Sequence, residues 1–257
     1  MADVAPGKTP TARQALPLFY RQLEPLSAEK HGKLSVIEKG TYAFAKGANS
    51  VPLNAIEFAL AARHYPIVFA AEGLAPPAAV MGLKAGENLV VDELGRWERG
   101  PYIPAYIRRY PSIAVSVPGS KEFALCVDTG SDLLVEGGKR PLFQGGQPSE
   151  LTKKALEFCQ LYQQQAELTR QFVEALNKHD LLVGRGAKLK LASGAERTLS
   201  GFRVIDEQKF NALPDAVFLE WRHKGWIGLV YLHLASLSSW GGLVDRASRL
   251  EGATAAR

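Results

Sequence analysis

The chain has 257 residues, 46% hydrophobic and 22% charged, enough for one large domain or two small ones without disulfide or metal staples. Its 24 glycines and 15 prolines are near average usage and it has only two cysteines, which excludes collagen-like, coiled-coil, disulfide-scaffold and wholly disordered chains. Thirty-one basic against 26 acidic residues leave a formal charge of +5, which permits a polyanionic partner without demanding one, and no Lys/Arg run exceeds two residues.

Residues 1–15 are small, polar and proline-containing, and are expected to be disordered. The first seventeen residues hold no apolar core of signal-peptide length. The most apolar window, Trp226 to Leu237, is short for a membrane span and contains His233. The expectation is a cytoplasmic chain with no transmembrane segment; delivery to the cell surface by a route needing no N-terminal signal is the alternative. Cys126 lies in an apolar run and Cys159 in a helical pattern, so both read as small core residues, and a reducing compartment fits.

In chain order, Lys33–Lys39 alternates polar and apolar residues as a strand does, Gly40 ends it, and Tyr42–Ala45 is expected to pair nearby. Asn54 is placed to cap a helix over Ala55–Arg63, with Glu57 completing a capping box and Pro66 stopping it. Ile67–Ala70, Ala78–Leu83 and Glu87–Asp92 read as strands, Pro104–Tyr110 as one or two helical turns, and Pro111–Val117 with Phe123–Asp128 as a hairpin around Pro118-Gly119-Ser120-Lys121. Residues 136–148 hold four glycines and two prolines and mark the best internal boundary. Ser149 then caps the most periodic helix, reaching about Lys178 and roughly 45 Å long at 1.5 Å per residue. Lys188–Leu191 and Arg197–Ile205 read as strands about Gly194, and Asp215–His223 as a helix that Gly225 stops. The pattern predicts an α+β fold: a β-rich part over residues 16–148, then the long helix and a smaller mixed, largely helical part over 149–257. Packing of the long helix on the sheet would make the two one domain.

The densest unusual segment is Arg96–Tyr110, with four arginines and four aromatics in fifteen residues. Arginine forks pair with carboxylates or phosphates, and aromatic faces stack on rings or cations. Arg96, Trp97, Tyr102, Tyr106, Arg108, Arg109 and Tyr110 are therefore candidates for binding an anionic or saccharide ligand. If the segment is helical from Pro104, Tyr106 and Tyr110 share a face that Tyr102 extends, and Arg108 and Arg109 project in neighbouring directions. The competing reading makes the aromatics core and the arginines caps for the protein's own carboxylates. No basic stripe extends the footprint, which argues against nucleic acid.

Asp128-Thr129-Gly130-Ser131 follows a predicted strand, as the same string does in aspartic proteases, where two such aspartates share a proton. One copy would need a homodimer, and the long helix interrupts what should be an all-β barrel; a plain strand-end turn is the favoured reading of the string. His233 and Ser236 stand three apart and would share a helical face, but no Gly-x-Ser-x-Gly elbow is present. The five histidines are scattered without His-x-His, His-x-x-x-His or Cys-x-x-Cys spacing, so no metal site is expected. No P-loop or Gly-x-Gly-x-x-Gly occurs, so no cofactor is expected.

Several segments together resemble the SapC family of bacterial proteins. They are the stretches 42–69, 82–111 (GLKAGENLVVDELGRWERGPYIPAYIRRYP), 123–128, 200–215 and 227–237 (IGLVYLHLASL), with the helix ending near 179 between them. The family is named from a gene cluster for a bacterial surface layer, and similar proteins resemble companions of outer-membrane nutrient-uptake systems. The resemblance implies a non-enzymatic accessory or binding protein whose partner is an envelope or uptake-system protein. It carries over no catalytic residue, and its members lack a fixed Thr-Gly-Ser after the residue matching Asp128. A hydrolase acting on a saccharide or peptide through Asp128 or His233, and a structural surface-layer component, stand as alternatives.

Overall fold

The computed structural model describes residues 16–37, 41–116 and 123–255. The fold is α+β. Its first part holds β1 (Leu23–Pro25), α1 (Ala28–His31), β2 (Leu34–Val36), β3 (Ser50–Pro52), α2 (Phe58–Ala61), β4 (Ile67–Ala70), β5 (Pro77–Val80) and α3 (Ala105–Arg108). Strands β6 (Ser112–Ser116), β7 (Phe123–Asp128), β8 (Leu134–Glu136), β9 (Phe143–Gln144) and β10 (Gln147–Pro148) follow. The chain continues with α4 (Glu150–Lys178), β11 (Leu182–Lys190), β12 (Glu196–Ile205), α5 (Glu207–Asn211), α6 (Asp215–His223), α7 (Trp226–Ser236) and α8 (Trp240–Ala255).

The central sheet runs β11-β12-β4-β5-β3, every neighbour antiparallel, so strands from both sides of residue 148 build it together. A three-stranded sheet, β1-β7-β6, and two ribbons, β2-β8 and β9-β10, complete the strands. The hairpin β6–β7 forms as expected, while its turn at residues 118–121, the strand end expected at residues 38–40, and residues 1–15 lie outside the described residues. Within 136–148, Leu142 and Phe143 are buried.

The long helix begins where its cap signal stands, with Ser149 Oγ accepting the Thr152 N–H. It packs across β6 and, through Phe172, Val173 and Leu176, into the main core. α6 covers Asp215–His223 as the pattern predicts, and Gly225, at φ 72°, makes the left-handed turn into α7.

Four local expectations are corrected. Ala43–Ala45 is a 3-10 turn instead of a strand, because Thr41 Oγ1 takes the Ala43 N–H and starts the turn. Glu87–Asp92 is irregular apart from one bridge between Val91 and Trp97: Asn88 bonds the Ala45 carbonyl, and Asp92 Oδ1 turns the chain by accepting the N–H groups of Leu94 and Arg96. The Asn54-capped helix is short, a 3-10 turn over Ala55–Glu57 leading into α2, although Glu57 Oε2 does accept the Asn54 N–H at 2.9 Å. The apolar window at Trp226 does not end at Leu237. A 3-10 turn over Leu237–Ser239 carries it into α8, and the run Trp226–Gly252 has the length and apolarity of a membrane span, with mean hydropathy 1.4 in its best window.

This run joins the two faces of the sheet. α7 packs with the face bearing Ile67 and Phe69, and α8, through Leu243 and Ala247, with the face bearing Val68 and Val80. β4 and β12 pair only at Phe202–Ala70 and Arg203–Phe69. Where they part, α7 replaces the ladder: His233 Nε2 accepts the Ile205 N–H at 3.0 Å and Ser236 Oγ accepts the Ile67 N–H at 2.9 Å.

Both side chains are fully buried. Replacing Ser236 by Ala leaves the Ile67 N–H without its acceptor, and urea unfolding should show a loss of about 1–3 kcal/mol. Burial lowers the His233 pKa from 6.5 to about 4. The unfolded chain therefore takes up this proton at higher pH than the folded one. The histidine's contribution is complete above about pH 6.5 and is lost as pH falls toward 4, up to about 3 kcal/mol. The pH dependence of unfolding should flatten across that window in His233→Gln.

Candidate functional site

The segment Arg96–Tyr110 divides in the structure. α3 is a single turn, and Tyr106 on it and Arg109 at its C-cap, three residues on, face inward. Arg109 is buried with its guanidinium 4.1 Å from the Tyr106 ring centre, 4.4 Å from Tyr162 and 5.7 Å from Tyr20, and its Nε has no partner among the described residues. Tyr110 is buried beyond the helix end, 4.2 Å from the Phe44 ring. Tyr106, Arg109 and Tyr110 are thus core residues. Tyr102 donates to Glu57 Oε1 at 2.9 Å, and burial beside that carboxylate pushes its hydroxyl up to about 12. Arg108 points outward, bonded to the Ile103 carbonyl and the Tyr102 hydroxyl, over Phe158 at 5.1 Å.

Asp128 is wholly buried and its two oxygens are occupied. Oδ1 accepts the N–H groups of Gln22 at 2.7 Å and Gly130 at 3.3 Å; Oδ2 accepts the Arg21 N–H at 3.1 Å and the Tyr110 hydroxyl at 2.9 Å. The Asp-Thr-Gly-Ser string closes a strand-end turn and ties the approach to β1 onto β7. His233 and Ser236 lie one helical turn apart, but each serves a strand: the Ser236 hydroxyl donates to the His233 carbonyl, not to its ring. Neither Asp128 nor the His233–Ser236 pair is open to a substrate. Burial pushes the Cys159 thiol up to about 11, which leaves it protonated and inert. Among the described residues no group of three or more His, Cys, Asp or Glu could hold a metal ion.

The outward part of the segment forms one wall of a cleft of about 620 Å³ whose other wall is α8. Leu89, Val90 and Val91 give it an apolar floor, and Arg96, Arg99, Arg246 and Arg249 surround it. The loop wall is rigidly built. Gly95 sits at φ 72°, where a Cβ would lie 2.0 Å from Thr41 Oγ1, and the Trp97 indole N–H donates to the Pro101 carbonyl. Arg246 Nε donates to Glu98 Oε2 at 2.6 Å and ties α8 to the loop.

The charges do not cancel. Asp92 is bound by Arg96, at 2.7 Å between side chains, and the Arg96 N–H chiefly holds its carboxyl below the usual range. Glu98 is bound by Arg246. Arg99 and Arg249 make no hydrogen bond or ion pair among the described residues, so two guanidinium forks remain available. His64, close by, feels the surplus: its pKa is lowered by burial first, then by Arg63 and Arg246. Among the described residues that line the cleft, the other titratable groups are the two arginine-bound carboxylates, so the lining carries a surplus of positive charge.

Sequence reasoning placed Arg96 and Trp97 at a site but did not single out Arg99, Arg246 or Arg249. The i, i+3 spacing of Arg246 and Arg249 on an amphipathic helix was the available signal; their approach to Arg96 depends on the long-range packing of α8. Replacing Arg246 by Ala removes a neighbouring positive charge and releases Glu98. The His64 titration midpoint, followed by NMR of its imidazole, should rise.

A model of the SapC family matches residues 26–243, a span that includes the loop wall and stops just before Arg246 and Arg249. No curated protein and no solved structure matches the chain.

Proposed function

We propose a binding rather than a catalytic role for this chain, which belongs to the SapC family. The arginine cleft is the place where it takes hold of an acidic group, on a ligand or on a protein of the cell envelope or a nutrient-uptake system. The observation that carries this reading is the surplus of two guanidiniums, Arg99 and Arg249, unpaired among the described residues, over an apolar floor. Planar forks at the rim of a cleft bind carboxylate or phosphate through paired, charge-assisted hydrogen bonds. The family's association with bacterial surface layers supports an envelope partner. The hydrolytic alternatives lose their support from the burial of Asp128 and His233.

The test is calorimetric titration of the full chain with glucuronate and with inorganic phosphate, with the His64 resonance as a second readout. At least one anion should bind and raise the His64 pKa. The double variant Arg99→Ala, Arg249→Ala should bind it roughly tenfold more weakly or worse, with an unchanged circular dichroism spectrum. Equal affinity in the double variant would refute the assignment.

A further inference from the structure

We propose that the ligand of the arginine cleft is acidic at one end only, and that its remaining, polyhydroxylated body lies over α8 in a second cleft. The inference rests on reading the first cleft as an anion site. The second cleft, of about 610 Å³, lies on the adjoining face of α8 and is lined by Lys190, Asp245, Ser248 and Arg249 among others. Arg249 lines both clefts, so the two adjoin at this residue, and we place one bound molecule across it.

The second cleft has fixed walls. Ser248 Oγ accepts the Ala192 N–H at 3.0 Å, and Glu251 accepts the Ser193 hydroxyl at 2.8 Å and Arg197 Nη2 at 2.6 Å. These bonds lock the turn between β11 and β12 against α8. The chemistry of this cleft differs from that of the first. Lys190 and Asp245 have no partner among the described residues, so the cleft offers one free ammonium and one free carboxylate. The Ser248 hydroxyl, already accepting, keeps its proton to donate. The wall therefore carries both donors, Lys190 and Ser248, and an acceptor, Asp245. Hydroxyl groups, which both donate and accept, satisfy such a wall. Lys190 and Asp245 offset each other, so apart from the shared Arg249 a second phosphate or carboxylate finds no surplus of positive charge there. A short saccharide ending in one sugar acid or one sugar phosphate has the required form, with sugars beyond the acidic one to reach the second cleft; a polyphosphate or a uniformly charged polymer does not.

The test compares four probes by calorimetry on the full chain: glucuronate, glucose 6-phosphate, a trisaccharide with a single terminal uronate, and tripolyphosphate. The trisaccharide should bind roughly tenfold more tightly than glucuronate, as two or three added hydrogen bonds would give. Asp245→Ala and Lys190→Ala, both at exposed positions, should remove that advantage and leave glucuronate binding unchanged. Asp245→Ala should also strengthen tripolyphosphate binding. The stronger of the two small probes identifies the acidic group as carboxylate or phosphate. If glucuronate or glucose 6-phosphate binds but the trisaccharide is no tighter than glucuronate, or tripolyphosphate binds tightest to the unaltered chain, the second cleft is not a sugar site and the anion site stands. If none of the four binds, both readings fall.

Discussion

The molecule is organised by the place where β4 and β12 separate. A sheet that opens in its interior leaves buried N–H groups that must find acceptors. Here Ile67 and Ile205 find them on one helix, through Ser236 and His233. Those two bonds fix α7 in height and rotation against the sheet. The chain then turns through Leu237–Ser239 and reaches the opposite face as α8, where Leu243 and Ala247 enter the second core cluster. Arg246 and Arg249 are presented to the loop at Arg96–Arg99 only because α8 lies there. The cleft is thus the outcome of a backbone requirement met far from it. The apolarity of Trp226–Val244 has a role in this arrangement, since the run contacts both cores in passing.

Two buried carboxylates do comparable work in the first part of the chain. Glu57 accepts from the Asn54 N–H, the Tyr102 hydroxyl and the Ala105 N–H, joining α2's entry to the approach of α3. Asp128 gathers four donors from three segments. A carboxylate surrounded by donors is well solvated by the protein, and the arrangement is costly to disturb. This accounts for the two features that looked most chemical in the sequence, the tyrosine-rich segment and the Asp-Thr-Gly-Ser string. In both, a buried carboxylate joins segments that lie far apart in the chain.

What was legible in the sequence was local. The periodicity and cap of α4, the Asp215–His223 helix with its glycine stop, the hairpin β6–β7 and the buried state of both cysteines follow from neighbouring residues alone. The strand expected at Glu87–Asp92 was not formed because an asparagine and an aspartate bonded to nearby backbone instead of leaving it to a ladder. The inward turn of Arg109 could not be read from its own neighbourhood, since it depends on Tyr162 and Tyr20 arriving from far along the chain. For the same reason Arg96 and Trp97 were visible as candidates while Arg246 and Arg249 were not.

The pairing of β4 with β12 has a further consequence during synthesis. β4 carries Ile67, Val68 and Phe69, and β5 covers only one of its edges. The other edge must wait for residues 202 and 203, after the whole of α4 and β11 has been made. At about 5–20 residues per second that wait is roughly 7–27 s. Throughout it, the nascent chain presents an apolar strand with open backbone groups, the template most prone to recruit a strand from another molecule. A strand left open in this way makes folding yield depend on how long the edge stays exposed as well as on final stability.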